Sequence, residues 1–133
     1  MLTAVDTNII LRDILRDDPV QSVLAAGIMQ SGDILIVTTV LAEIEWVLRS
    51  VYKWSRAQIN HALVALTSIE NVMTEDETRV RWAIARHEEG ADFADMLHVA
   101  NAHNSDRFIT FDQRVERYAG KNAGIPIETI GDT

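Results

Sequence analysis

The chain has 133 residues, 47% hydrophobic and 24% charged, with no cysteine and a formal net charge of −8. That length suits one domain with a real hydrophobic core. The missing cysteines exclude a disulfide framework and a thiolate zinc site and fit a reducing compartment. The acid excess argues against a protein that coats nucleic acid by charge alone. It does not argue against a metal-dependent nuclease, because an ion neutralises the carboxylates that bind it.

The N-terminal "MLTAVDTNIILRD" has no basic leader before its apolar stretch and meets Asp6 at once, so it does not read as a signal peptide. Nor does any apolar run approach the roughly 20 residues that span a bilayer. A soluble, cytoplasmic protein is the expectation.

"LTAVD" (2–6) is a short apolar run ending in an acid and reads as a buried strand. Residues 8–18 show helical spacing of Ile9, Ile10, Leu11, Ile14 and Leu15, and Pro19 opens a second helix through Met29. "ILIV" (34–37) is a second strand, followed by a helix over 40–52 that Thr39 is placed to cap. Ser55 with Gln58 forms a capping box for a helix reaching about Ile69. "NVM" (71–73) is a thin third strand. A polar helix over 75–89 is broken by Gly90, and a helix over 92–103 follows. Strand "RFIT" (107–110), a short helix over 113–119 and the closing "IPIETI" (125–130) complete the chain. Strands alternating with helices, and continuous in apolar character, predict an α/β fold with a mainly parallel sheet covered on both faces.

Ligands of open parallel sheets bind beyond the carboxyl ends of the strands. Asp6 follows the first strand at once, and Asp112 lies two residues after "RFIT". With these strands side by side, both acids fall on one edge of the sheet. Glu43 and Asp95 lie one turn into helices near that edge, where the helix N-terminus favours a carboxylate. Each acid also has a structural reading. Asp6 and Asp112 could cap the helices that follow them, and Asp92 with Asp95 resembles a reciprocal cap. Glu43 shares a face with Val40, Trp46 and Val47 on a helical wheel, while Glu45 points elsewhere; a buried carboxylate there needs a cation. Clustered carboxylates repel and take up a proton unless a cation joins them. Oxygen donors without cysteine or a histidine pair select Mg²⁺ or Mn²⁺ over zinc. Such ions activate water and stabilise phosphoryl charge, so the residues alone point to a divalent-metal phosphodiesterase or phosphatase.

"VDTNIILRDILRDD", "TTVLAEIEWVL", "GADFADMLHVANA" and "FITFDQR", in this order and spacing, resemble the PIN-domain proteins, specifically their VapC-type toxin branch. The resemblance covers nearly the whole chain. It implies a single domain over 1–133, a three-layer α/β/α sandwich with four to five short strands, and a Mg²⁺- or Mn²⁺-dependent endoribonuclease. It carries over Asp6, Glu43, Asp95 and Asp112 as the catalytic and metal-binding acids, with Asp92 auxiliary and Asn8 and Thr110 as supporting hydrogen-bond donors. Cleavage by a metal-bound water would leave 5′-phosphate and 3′-hydroxyl ends. Implied partners are an RNA substrate, a small antitoxin that covers the site and a second copy of the chain; no membrane is implied. A PIN nuclease of RNA processing, outside any toxin–antitoxin pair, is the alternative.

Other readings are weaker. Asp95-x-x-His98 is half of a di-iron motif with no second half, and His61, His87 and His103 lack metal spacing. Trp46 and Trp54 read as core or interface anchors. Arg12, Arg16, Arg49, Lys53 and Arg56 form either a basic rim for RNA or a solvated face. A phosphorelay receiver domain needs an acidic pair after the first strand and a late lysine, and both are missing. A dehalogenase-type phosphatase needs an acid where Asn8 stands. A PIN fold that only binds partners conflicts with the full acidic set.

Overall fold

The computed structural model of the protein describes residues 1–131. Its elements are β1 (Leu2–Ala4), α1 (Thr7–Leu15), α2 (Pro19–Met29), β2 (Asp33–Ile36), α3 (Thr38–Ser50) and α4 (Arg56–Thr67), then β3 (Val72–Thr74), α5 (Glu77–Glu88), α6 (Phe93–Asn101), β4 (Phe108–Thr110), α7 (Gln113–Ala119) and β5 (Ile127–Thr129). Every strand pair is parallel, as helical crossovers between strands require. β1, β2 and β3 form one sheet in that order, with Leu2 opposite Asp33 and Ile34 opposite Val72. β4 and β5 form a second ladder, with Phe108 opposite Ile127. Adjacency of the strands before Asp6 and Asp112 is the condition under which both acids share one sheet edge. Among the described residues β1 pairs only with β2, and β4 only with β5. These strands have three residues each, and Leu2 and Ile109 stay exposed.

Ile34 and Ile36 of the central strand β2 are fully buried. Leu41, Ile44 and Leu48 of α3, Ile59 and Leu63 of α4, and Phe93, Met96 and Val99 of α6 pack into the same core. α3 packs against α1, α4 and α6, and α6 against α5 and α7. The elements carrying the four expected acids are therefore joined through α3 and α6.

Helix ends follow local chemistry where a local partner exists. The expected helix over 8–18 stops at Leu15, with Arg16 in the left-handed region (φ 53°) and its N–H on the Arg12 carbonyl. Asp18 is needed elsewhere: it caps α2, accepting from the Val20 and Gln21 amides at 3.0 and 2.9 Å, with Pro19 in the first turn. The Ser55–Gln58 capping box forms in both directions. Thr39, expected to cap α3, does not. The helix begins two residues earlier, at Thr38, and the Thr38 amide and hydroxyl both donate to Glu75 Oε1, at 2.8 and 3.0 Å. A carboxylate from beyond β3 thus satisfies the positive end of α3.

Candidate active site

Asp6 leaves β1 and caps α1, its Oδ1 accepting the Asn8 amide at 2.7 Å. Asn8 thus donates to the acid through its backbone amide. Asp6 is exposed, so its carboxylate remains open to a ligand while this bond orients it. Asp95 stands in the first turn of α6, partly buried. Its carboxyl is pushed above the usual range by burial first and then by the neighbouring Asp92, with Asp112 adding to both and His98 and Arg114 opposing. Asp92 occupies the N-cap position of α6 without a side-chain cap bond. The reciprocal cap is therefore not made, and the charge of Asp92 bears on Asp95 instead.

Asp112 caps α7 through the Arg114 amide at 2.9 Å. The Arg114 guanidinium grips it as well, Nε to Oδ1 at 3.1 Å and Nη2 to Oδ2 at 2.9 Å. These bonds, side-chain first, hold the Asp112 carboxyl below the usual range. Thr110 Oγ1 accepts the Asp112 amide at 3.0 Å and so helps to hold the backbone of the acid.

The wheel reading of α3 needs correction. Its buried face runs through Thr38, Leu41, Ile44, Glu45 and Leu48, while Glu43 and Trp46 (53% exposed) point outward. The acid that requires a cation is Glu45, 4% exposed, and it has one: Arg49, one turn on, donates from Nε to Oε2 at 2.7 Å. The cores of β2 and α6 fix this face; Val40 and Val47, which share the wheel position of Glu43, only flank it. Glu43 keeps its candidacy from its place in the motif, and its exposure leaves it free to bind. The Glu45–Arg49 pair was legible as a four-residue acid–base spacing.

Asp92, Asp95, Arg114, Glu45, His87 and Tyr118 line one cavity of about 350 Å³. His87 is 2% exposed. Asn60 Nδ2, which also donates to the Ile84 carbonyl, lies 3.1 Å from His87 Nδ1, making that nitrogen the acceptor. Burial, then Arg56, lowers the His87 pKa, which favours the neutral imidazole. Most of the suspected basic rim is spent internally. Arg12 pairs with Asp17, Arg16 with Asp13 and Arg49 with Glu45, and Arg56 bonds the His87 and Ala91 carbonyls.

Carboxylate oxygens are the donors a hard divalent cation takes, and one of these acids, Asp95, is destabilised in its charged form by burial and by its neighbours. Arg114 supplies positive charge at that place. Among the described residues no three acid or histidine side chains converge closely enough to hold an ion as they stand. No described helix is long and apolar enough to cross a membrane.

A mixed α/β fold of parallel strands with acids beyond the strand ends places the ligand-binding edge at those acids. The sequence model of the PIN domain matches residues 3–121, so the chain belongs to the PIN-domain family. PIN domains are generally metal-dependent nucleases. No curated protein and no solved structure matches the chain.

Proposed function

We propose that the chain is a divalent-metal-dependent endoribonuclease and the toxin of a toxin–antitoxin pair, with Asp6, Glu43, Asp95 and Asp112 as its metal-binding acids. The observation that carries this is Asp95: a partly buried carboxylate, crowded by Asp92 and Asp112, on a helix packed against α3, which carries Glu43, and α7, which Asp112 caps. Such crowding is relieved by a divalent cation. Mg²⁺, or Mn²⁺ in its place, would supply an activated water and charge stabilisation at the scissile phosphate. The remaining work belongs to the chain. The α1 amide at Asn8 fixes Asp6, the first turn of α6 aims Asp95, and Thr110 with the α7 amide fixes Asp112. Asp92 raises the negative potential beside Asp95. RNA would leave with 5′-phosphate and 3′-hydroxyl ends. A small antitoxin covering the acids and a second copy of the chain complete the proposal.

The test is cleavage of total cellular RNA by the purified protein in Mg²⁺, Mn²⁺ or EDTA, with Asp6→Asn alongside. Discrete cuts that need metal and vanish in a folded Asp6→Asn protein are expected. Full activity of Asp6→Asn removes that residue from the set. Expression in cells should arrest growth, and Glu43→Gln should abolish the arrest. Metal-dependent cleavage without arrest assigns the chain to RNA processing instead.

A further inference from the structure

Both carboxylate oxygens of Asp112 are engaged by one side chain of the same molecule. Arg114 donates Nε to Oδ1 at 3.1 Å and Nη2 to Oδ2 at 2.9 Å, and its backbone amide adds a bond to Oδ1 at 2.9 Å. A carboxylate offers about four lone-pair sites, and these donors fill most of them. The same guanidinium feels the charges of Asp95 and Asp92 and lines the cavity those acids share. Arg114 therefore holds the Asp112 oxygens that a divalent ion would need, and does so beside Asp95 and Asp92. Like charges at hydrogen-bond separation repel strongly, and Mg²⁺ demands close, regular oxygen ligation.

We propose that Arg114 is a built-in counter-ion that competes with the divalent metal for Asp112, so that loading the centre requires the guanidinium to leave the carboxylate. The proposal rests on the metal-dependent reading above. The side chain is suited to leaving. It is 73% exposed, and exposed ion pairs are weak, whereas the backbone bond that positions Asp112 stays when the guanidinium departs. The competition is one of geometry as well as charge, because the two-pronged grip belongs to arginine and not to lysine.

The experiment is a Mn²⁺ titration of the full chain, reading the free ion by its electron paramagnetic resonance signal, for wild type, Arg114→Ala and Arg114→Lys. Both variants should bind Mn²⁺ more tightly, by roughly 2- to 5-fold given the strength of exposed pairs. In an Asp112→Asn background the gain should disappear, since the competed group is gone. Unchanged or weaker binding by Arg114→Ala overturns the proposal. So does tighter binding by Arg114→Ala with Arg114→Lys equal to wild type, because charge through space would then suffice. If none of the three proteins binds Mn²⁺, the metal-dependent reading falls and takes this inference with it. That result is distinct from a wild type that binds but ignores position 114.

Discussion

Asp95 and Asp112 share one electrostatic neighbourhood and are pushed in opposite directions, Asp95 up by burial and Asp92, Asp112 down by its bonds to Arg114. The signs fix the consequences for stability. A carboxyl whose folded pKa is raised subtracts from stability once ionised, and the penalty fades as pH falls through that raised value. Asp95→Asn should therefore abolish cleavage yet melt a few degrees higher than wild type at neutral pH without metal, with the difference closing on acidification. Thermal melts in EDTA across the acidic range, beside an RNA cleavage assay, check both halves; a lower melting point at neutral pH would contradict the burial argument. Asp112 has the other sign: its stabilising bonds are present above the unfolded carboxyl range and are lost as pH falls through its lowered folded value. Glu45 is different in kind from both. Its carboxylate is buried and its partner Arg49 is half exposed, so Glu45→Ala removes hydrogen bonds but lets the cation reach water. The expected cost is about 1–2 kcal/mol of stability, read by denaturant unfolding, with the acids of the proposed centre untouched. A loss of cleavage in a fully folded Glu45→Ala protein would move Glu45 from structure into the reaction.

At the scale of elements, α3 is the helix whose start depends on a distant residue. Glu75 lies 37 positions away and takes both the amide and the hydroxyl of Thr38. Glu75→Ala should destabilise the fold by about 1 kcal/mol, as loss of a helix cap does, and should weaken cleavage because α3 carries Glu43. Hydrogen exchange at the first turn of α3 is the direct measurement, and unchanged protection there would refute the capping role. The same contact marks the limit of what the sequence disclosed. The Ser55–Gln58 box and the Pro19 start were legible because each is written within one turn of chain. The α3 cap was not, because its partner arrives through tertiary folding. The buried face of α3 failed for a related reason. Apolar residues surround that helix, so a wheel offers two candidate faces, and only the packing of β2 and α6 selects the one holding Glu45. The order of acid-bearing motifs was legible and matches a PIN domain over residues 3–121. The clamp of Arg114 on Asp112 was not, since a spacing of two does not by itself announce an ion pair.

For the whole molecule the question is how a chain of net charge −8 holds a polyanion. Six of the twelve lysines and arginines, Arg12, Arg16, Arg49, Arg81, Arg107 and Arg114, are each paired with an acid of the same chain, which reduces the positive charge available to release counterions from RNA. For single strands the slope of log affinity against log salt is about −0.7 per phosphate neutralised. If one or two phosphates are held, and mainly through the bound ion, the slope should stay shallower than about −1.5. Affinity should then depend on the divalent ion far more than on salt, because in the proposed centre the ion would both neutralise the acids and attract the phosphate. Fluorescence anisotropy of a labelled single-stranded RNA on the Asp6→Asn protein or in Ca²⁺, against EDTA, separates the contributions. Binding at least about tenfold tighter in Ca²⁺ than in EDTA, with a shallow slope in both, is the expected outcome, roughly 1.4 kcal/mol of ion-dependent affinity. Equal affinity with and without the ion, together with a steep slope, would place RNA on a basic surface instead. Lys53, at a left-handed turn (φ 58°) before α4, would then be the first residue to replace.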